Sequence, residues 1–289
     1  MTLVRLCDQR YGEGEDPIPT ETTIISLLRK TNLAHHPSFM IADYNWAIAI
    51  NRDGVSATQA LIDRFLDYCP LSSIPIFICQ HISVRSLRWG RSIVFSPHAT
   101  INSRLLPIAH FSVNYATSFT PITQRTISCS FMGSLDTHPI RRTILDKIRG
   151  IPRAFTCDTG MWFFSNPSTS YVEQYKAILQ SSIISVCPLG TGPGSVRLWE
   201  ALSSGSIPLI VSENLMLPYP IHDKVVIIST NKIDDLEGEI SRILAMSPVQ
   251  LVDYQQNLYR AHMSNCFNNV LHMPIINFIR HHVSSRLKD

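Results

Sequence analysis

Residues 183–218 read IISVCPLGTGPGSVRLWEALSSGSIPLIVSENLMLP, and they carry the strongest evidence for a fold class. An apolar run, Ile183–Cys187, ends in a turn rich in proline and glycine, and a helical pattern then extends from Ser195 to Gly205. A second apolar run, Ile207–Val211, follows directly. Strand, loop, helix and strand in this order form one βαβ unit, so we predict two parallel strands joined by a helix.

The loop of this unit has the features of an anion site. Its glycines Gly190, Gly192 and Gly194 allow a tight turn and let a ligand approach the main chain, and we expect Gly194 to take a positive φ. Ser195 is the expected N-cap of a helix whose first N–H groups have no partner inside the helix. These N–H groups and the positive end of the helix dipole favour a phosphate.

Two charged residues of the helix extend this interpretation. Arg197 lies in the first turn and can make a bidentate contact with an anion. Glu200 shares its helix face and could accept hydrogen bonds from ribose or sugar hydroxyls. The alternative is an ordinary turn with a surface ion pair between Arg197 and Glu200. The loop has neither the Gly-Lys-Ser/Thr of a Walker A motif nor the glycine spacing of the dinucleotide fingerprint.

A second junction of strand, glycine and helix precedes the first one. The predicted strand Arg125–Phe131 leads into Gly133 and Ser134, and a helix is predicted from about Ile140 to Ile148. Arg141 and Arg142 lie at the start of this helix, and one interpretation is a pair of solvated arginines beside a core helix. Strands and helices alternate elsewhere too, which predicts an α/β protein with mainly parallel sheets.

Several short motifs occur in a fixed order along these two junctions. They are Ser130-Phe131-x-Gly133-Ser134, Pro139-Ile140-Arg141, Val186-Cys187-Pro188-x-Gly190, Ser195-x-Arg197-x-x-Glu200-Ala201-Leu202 and Gly205-x-Ile207-Pro208-x-Ile210. Together they resemble the C-terminal half of the exostosin-like glycosyltransferase family, of which this chain would be a small soluble member.

The resemblance implies a GT-B-like α/β fold, with two Rossmann-like domains facing each other across a cleft. We expect residues 1–122 to form the acceptor-side domain and residues 123–265 to form the nucleotide-sugar domain. Residues 266–289 are expected to form a C-terminal helix that returns to the N-terminal domain, as is common in GT-B folds.

The function that the resemblance implies is inverting transfer of a sugar, such as xylose, from a UDP-sugar to a glycan. The UDP-sugar is then a co-substrate, and no cofactor is bound permanently. No Asp-x-Asp motif occurs, so we expect no requirement for a divalent cation. Arg141 is preferred to Arg142 because it matches the Ile-Arg of the family. The expected donor-binding residues are Gly133, Ser134, Arg141, Gly194, Ser195, Arg197 and Glu200.

The proton acceptor for the acceptor hydroxyl is expected at a strand end of the N-terminal half. His98 follows an apolar strand, and the ordinary pKa of an imidazole suits proton abstraction. Asp43 follows a predicted strand, Ser38–Ala42, and precedes another, Ala47–Ile50. His81 also lies near a predicted strand end. We predict His98 and Asp43 as catalytic; a structural role is the alternative for each of the three residues.

The composition limits the classes of partner and the cellular compartment that we expect for this protein. A net charge of +3 without a long basic run argues against nucleic acid as a partner. The seven cysteines contain no CxxC pair, which favours a reducing compartment over a disulfide framework. Neither a signal peptide nor an apolar membrane segment is visible. We therefore expect a cytoplasmic protein, as small relatives of bacterial or viral type would be, or one whose native anchor is missing.

Two other functions stay open from the sequence. The first is a non-catalytic glycosyltransferase-like partner that binds a nucleotide sugar or stabilises an active enzyme. The second is an oxidoreductase that uses a dinucleotide, which the missing fingerprint disfavours.

Overall fold

The computed structural model describes residues 2–5, 19–31, 38–160 and 169–286. These residues form two compact units. Unit 1 comprises the described residues within Met1–Phe111, Met216–Pro218 and Asn268–Asp289, and unit 2 comprises those within Ser112–Leu215 and Tyr219–Phe267. The domain boundary that we predicted after residue 122 therefore lies inside unit 2, whereas the division found here follows Phe111.

Strands and α-helices alternate along the described residues. In chain order they are β1 (Thr2–Arg5), α1 (Pro19–Arg29), β2 (Phe39–Asp43), α2 (Trp46–Tyr68), β3 (Ile74–Ile78), β4 (Ile93–Ser96), β5 (Leu105–Pro107), β6 (Ile127–Gly133), α3 (Ile140–Arg149), β7 (Phe155–Asp158), α4 (Thr169–Ser181), β8 (Ser182–Pro188), α5 (Val196–Ser203), β9 (Ile207–Val211), β10 (Val226–Ile228), α6 (Leu236–Leu244), α7 (Pro248–Asn265) and α8 (Met273–Arg286).

Unit 1 is built on a five-stranded parallel sheet in the order β1-β2-β3-β4-β5. The strands are short apolar runs, as expected when both faces of a parallel sheet are covered. Phe77 of β3 packs edge-on against Phe65 of α2, with ring centroids 5.2 Å apart. The ring centroids of Trp46 and Phe77 are 5.1 Å apart. These buried rings form the centre of the core of unit 1.

The predicted strand Ala47–Ile50 is wrong, because these residues form the first turns of α2. Asn45 is the N-cap, and its Oδ1 accepts a hydrogen bond from the Ile48 N–H at 3.1 Å. The helix breaks at Gly54, where φ is 81°. All five residues from Trp46 to Ile50 are buried, so the segment lacks the 3.6-residue period that would distinguish a helix from a buried strand.

Unit 2 carries a second five-stranded parallel sheet, in the order β10-β9-β8-β6-β7. The chain enters at β6, adds β7 on one side, and then crosses to β8 on the other side, so the strand order reverses between β6 and β8. Ligands of open α/β sheets bind at the carboxyl ends of the strands at such a reversal. The two parallel sheets confirm the predicted GT-B-like α/β class with two Rossmann-like domains.

Arg125 joins several elements inside unit 2. Its Nη1 donates to the carbonyls of Leu179 and Ser182 at 3.0 and 2.8 Å, and its Nη2 donates to the Ser204 carbonyl at 2.7 Å. Nε and Nη2 both donate to the Thr120 carbonyl. Because Leu179 and Ser204 lie at the C-terminal ends of α4 and α5, Arg125 supplies donors and positive charge to helix ends whose carbonyls lack intrahelical partners.

His262 of α7 is fully buried in unit 2, with its Nε2 2.9 Å from Ser203 Oγ. Burial lowers the pKa of His262 from 6.5 to about 3. In the unfolded chain His262 binds a proton below about pH 6.5, whereas in the folded unit it does so only near pH 3. The contribution of His262 to the free energy of unfolding is therefore fully present at neutral pH and is lost as the pH falls from 6.5 toward 3. We expect this residue to cost unit 2 about 2 kcal/mol of unfolding free energy between pH 7.5 and pH 5.

The measurement is chemical unfolding of unit 2 at both pH values. His262→Gln should flatten the pH dependence by most of that amount, whereas the same change at the exposed His222 should leave it as in the wild type. An unaltered slope in the His262→Gln protein would show that this imidazole is not the source.

None of the helices that the structure describes has the length and apolar character needed to cross a lipid bilayer. The six cysteines within the described ranges all have free thiols, and Cys7 lies outside those ranges.

Candidate functional site

The candidate site lies at the carboxyl edge of the unit 2 sheet, where the strand order reverses. Here β6 ends at Gly133 and β8 ends at Pro188, and the loop after β8 leads into α5. The two junctions that the sequence singled out therefore meet at adjacent strands. Their amide groups, small residues and arginines converge on the part of the fold where α/β sheets bind ligands.

Arg197 is half-buried in the first turn of α5, between two aromatic rings. Its guanidinium carbon lies 5.0 Å from the centre of the Phe131 ring and 5.2 Å from that of Tyr175. Among the residues that the structure describes, no hydrogen-bond acceptor and no ion-pair partner engages this guanidinium. Its N–H donors are held in place by ring packing and are available to an added anion.

Arg141 differs from Arg197 because its donors are already used. Nε donates to the Leu189 carbonyl at 2.9 Å, Nη1 to the Ser134 carbonyl at 2.8 Å, and Nη2 to the Pro188 carbonyl at 3.3 Å. Burial lowers the pKa of Arg141 to about 10, and the nearby charge of Arg197 contributes. Arg141 therefore ties the loop after β6 to the loop after β8 and adds positive charge beside Arg197.

Glu200 is buried inside unit 2, 4% exposed. Its Oε1 accepts the Asn114 N–H at 2.9 Å, and its Oε2 accepts the Tyr175 hydroxyl at 2.8 Å. Burial raises the pKa of Glu200, against which these hydrogen bonds and the charge of Arg197 act. The carboxylate is thus engaged by the protein, and the role that we predicted for it toward ribose or sugar hydroxyls stays a prediction.

Gly133 and Gly190 make room for the two arginines. A Cβ atom at Gly133 would lie 2.5 Å from Nη2 of Arg197, and one at Gly190 would lie 2.9 Å from Nη2 of Arg141. These are shorter than any normal carbon contact, so each arginine position requires a glycine beside it. Ser134 is buried, and its Oγ accepts the Asp136 N–H at 3.2 Å.

The loop before α5 departs from our expectation in one respect. Gly194 is not among the described glycines with positive φ, which are Gly54, Gly90, Gly160 and Gly205, so the expected left-handed backbone at Gly194 is wrong. Ser195 is the N-cap, with an extended backbone, but its side chain makes no capping hydrogen bond. The loop is instead tied to the end of β9 by the Ser212 hydroxyl, which donates to the Pro193 carbonyl at 2.8 Å.

Phe131 and Tyr175 pack against Arg197, a role that was not predicted from the sequence. Phe131 lies within the apolar strand β6, and Tyr175 lies four residues before Leu179 on the buried face of α4. Both patterns are typical of ordinary core residues. Only Tyr175 could have been noticed from the sequence, because a tyrosine on a buried helix face needs a hydrogen-bond partner for its hydroxyl.

The predicted catalytic residues lie in unit 1. His98 is 4% exposed after β4, and burial lowers its pKa from 6.5 to about 4. Asp43, at the end of β2, is paired with Arg29. His81 caps a short 3₁₀ helix and lies 2.9 Å from Asn51 Oδ1. The structure places all three near the carboxyl ends of the parallel strands of unit 1, and their roles stay predictions.

Glu21, which was not predicted as a site residue, is a buried carboxylate in the same part of unit 1. Its Oε1 accepts the Gln80 N–H at 2.8 Å and its Oε2 accepts the Ala47 N–H at 3.2 Å. Burial raises the pKa of Glu21 to about 8. The sequence could have indicated this buried carboxylate, because Glu21 shares one helix face with the apolar residues Ile24, Ile25 and Leu28.

Within the part of the chain that the structure describes, no group of three or more His, Cys, Asp or Glu side chains could hold a metal ion. Independence from a divalent cation remains a prediction.

Comparisons with known proteins find similarity to glycosyltransferases, in agreement with the family that the motifs resemble. The chain is 25% identical over 157 residues to the probable glucuronoxylan glucuronosyltransferase IRX7 of Arabidopsis thaliana, a segment covering 51% of this chain and 33% of that protein. It is 31% identical over 104 residues to the probable beta-1,4-xylosyltransferase IRX10 of the same plant, covering 33% of this chain and 24% of that protein. The matched segments thus span a third or less of these relatives.

A crystal structure of an alpha1,3-fucosyltransferase aligns with 96% of this chain and 89% of its own, at 13% identity and a TM-score of 0.49. The model of the Exostosin GT47 domain matches residues 76–243, which include both junctions of the candidate site. Because that match covers more than half of the chain, this protein belongs to the Exostosin GT47 domain family.

Proposed function

We propose that this chain is a glycosyltransferase that transfers a sugar from a nucleotide sugar to a glycan, with the candidate site of unit 2 binding the donor diphosphate. The observation that carries the proposal is the guanidinium of Arg197. It is positioned by Phe131 and Tyr175, stands at the start of α5, and has no hydrogen-bond acceptor among the described residues. A phosphate group would complete its hydrogen bonding.

The chemical work of this site is to stabilise the leaving group. As the bond between the anomeric carbon and the diphosphate breaks, negative charge grows on the diphosphate oxygens. The Arg197 guanidinium, the first N–H groups of α5 and the charge of Arg141 are fixed before that charge appears, so they need little reorganisation. Arg141 contributes mainly by holding the two loops together, because its own donors are engaged.

The finer parts of the proposal concern the donor and the stereochemistry. We propose a UDP-sugar donor, no divalent cation and inversion at the anomeric carbon. In that reaction the acceptor hydroxyl forms the new bond from the face opposite the diphosphate, and its proton passes to a base. UDP-xylose and UDP-glucuronic acid are the first donors to test, because the similar plant proteins are named for xylosyl and glucuronosyl transfer.

His98 and Asp43 remain our candidates for the base. At neutral pH the low pKa of His98 keeps its imidazole uncharged, which is the form that accepts a proton. Two observations favour a second function, that of a non-catalytic nucleotide-sugar-binding partner. Asp43 is paired with Arg29, and His98 is buried, so neither group is freely presented to an acceptor. Binding of a UDP-sugar without turnover on any glycan would support this second function.

The test is calorimetric binding of UDP, UDP-xylose and UDP-glucuronic acid, with GDP and NAD as controls. In Arg197→Ala we expect UDP affinity to fall by about 30-fold or more, since hydrogen bonds to a charged group contribute about 1.5–3 kcal/mol. Arg142→Ala is the matched control, because Arg142 is exposed and paired with Asp136; its affinity should stay within about twofold of the wild type. Equal affinity of wild type and Arg197→Ala for UDP would refute the assigned role.

A further inference from the structure

We propose that Tyr175 is a positioning residue of the donor site: its hydroxyl occupies Glu200 and thereby keeps the guanidinium of Arg197 available to a nucleotide diphosphate. The inference rests on the proposed function of the site. In this inference a residue of α4 acts on the ligand indirectly, by keeping Glu200 from pairing with Arg197.

Tyr175 contacts Arg197 with its ring and Glu200 with its hydroxyl. Its ring packs under the Arg197 guanidinium, 5.2 Å from ring centre to guanidinium carbon. Its hydroxyl donates to Oε2 of Glu200 at 2.8 Å, while the Asn114 N–H satisfies Oε1 at 2.9 Å. The ring and the hydroxyl can therefore be separated by mutation, because phenylalanine keeps the first contact and removes the second.

The competition for Arg197 follows from charge and burial. Glu200 lies one helical turn from Arg197 on α5 and is buried, and a buried carboxylate without hydrogen-bond donors is strongly unfavourable. Neutral donors, which are the hydroxyl of Tyr175 and the backbone N–H groups of Asn114 and Val113, satisfy this carboxylate instead of the cation. As a result, Arg197 is attracted by Glu200 but is not hydrogen-bonded to it.

Loss of the hydroxyl should shift this balance. In Tyr175→Phe, Oε2 of Glu200 loses its donor, and Arg197 is the cation on the same helix face that can replace it. An ion pair between the two would use the guanidinium donors and cancel their charge. The diphosphate would then have to compete with an internal carboxylate for the same N–H groups.

The experiment is a double-mutant cycle on UDP binding, measured by calorimetry on the wild type, Tyr175→Phe, Glu200→Gln and the double variant. Tyr175→Phe should weaken UDP binding about tenfold when Glu200 is present, equivalent to about 1.4 kcal/mol. In the Glu200→Gln background the same change should weaken it less than about threefold, because a neutral amide does not capture a guanidinium. Tyr254→Phe, on α7 beside Arg242 and Asp253, is the control and should bind UDP as the wild type does.

The outcomes separate the inference from the function on which it rests. A tenfold loss in both backgrounds would mean that Tyr175 supports the fold in a general way, and would overturn the inference. Unchanged affinity in Tyr175→Phe would overturn it as well. If the wild type itself does not bind UDP, the proposed function and this inference both fall. Thermal midpoints of all variants, compared with the wild type, reveal any that lose binding through unfolding.

Discussion

Methionine in place of Arg125 is expected to lower the thermal midpoint of unit 2 by roughly 10 °C, the largest stability change that we predict. Methionine keeps an unbranched stem of similar shape but has no donor. The carbonyls of Thr120, Leu179, Ser182 and Ser204 would then lose the hydrogen bonds that Arg125 provides. The Thr120 carbonyl would keep Nε2 of Gln255 as a donor. An acceptor left without a partner costs about 1–3 kcal/mol, so for the carbonyls of Leu179, Ser182 and Ser204 together we expect a loss of about 3 kcal/mol or more.

Calorimetric melting of the wild type, Arg125→Met and Arg149→Met tests this expectation. Arg149 is exposed at the end of α3, where it forms only a surface ion pair with Asp146. Its replacement should change the free energy of unfolding by about 0.5 kcal/mol at most. If Arg125→Met melted with the wild type, the carbonyls would have found other donors, and Arg125 would not be the residue that joins α4 and α5.

Gly133→Ala is expected to weaken UDP binding about as much as Arg197→Ala does, while leaving the fold nearly as stable as the wild type. The added methyl group would lie 2.5 Å from Nη2 and 3.5 Å from Cζ of Arg197, whereas its contact with the Phe131 ring would be an ordinary 3.6 Å. The end of a flexible side chain can move away at low cost, so the strain falls on the position of the guanidinium. Phosphate binding by arginine depends on that position.

The readout is UDP affinity together with the thermal midpoint of the same protein. Gly238→Ala is the matched control, because a Cβ at Gly238 meets open space and alanine favours the helix in which it lies. That control should keep wild-type affinity and melt at the same temperature or higher. Wild-type affinity in Gly133→Ala would mean that the guanidinium position seen here is not the one that binds the nucleotide.

Element type followed from sequence wherever the apolar pattern was periodic or was bounded by turn residues. The strand before Pro188, the helix after Ser195 and the strand Ile207–Val211 illustrate this, since glycine, proline and an N-cap serine mark their ends. The same reasoning failed at residues 47–50, where burial on every side removes the periodicity. In that segment only packing against the rest of unit 1 distinguishes helix from strand.

In the candidate site, too, local sequence features predicted some residues, whereas others depend on packing between distant segments. The sequence identified Arg197, Arg141 and Gly133, because glycine-rich loops and arginines near helix starts are local features. It could not tell that Arg141 is occupied by carbonyls from two loops while Arg197 has no acceptor among the described residues. It also could not show that Phe131 and Tyr175 flank Arg197, since they come from a strand and a helix far apart in the chain.

The α/β class, the two strand–glycine–helix junctions and the family could be predicted from the sequence, because these features depend on residues close together in the chain. Which arginine is available to an anion could not be predicted in this way. Availability depends on which carbonyls, rings and carboxylates the fold brings within hydrogen-bond distance. Glu200 illustrates the reason: three residues from Arg197 in sequence, it is nevertheless satisfied by Tyr175 and Asn114, which the fold supplies from elsewhere in unit 2.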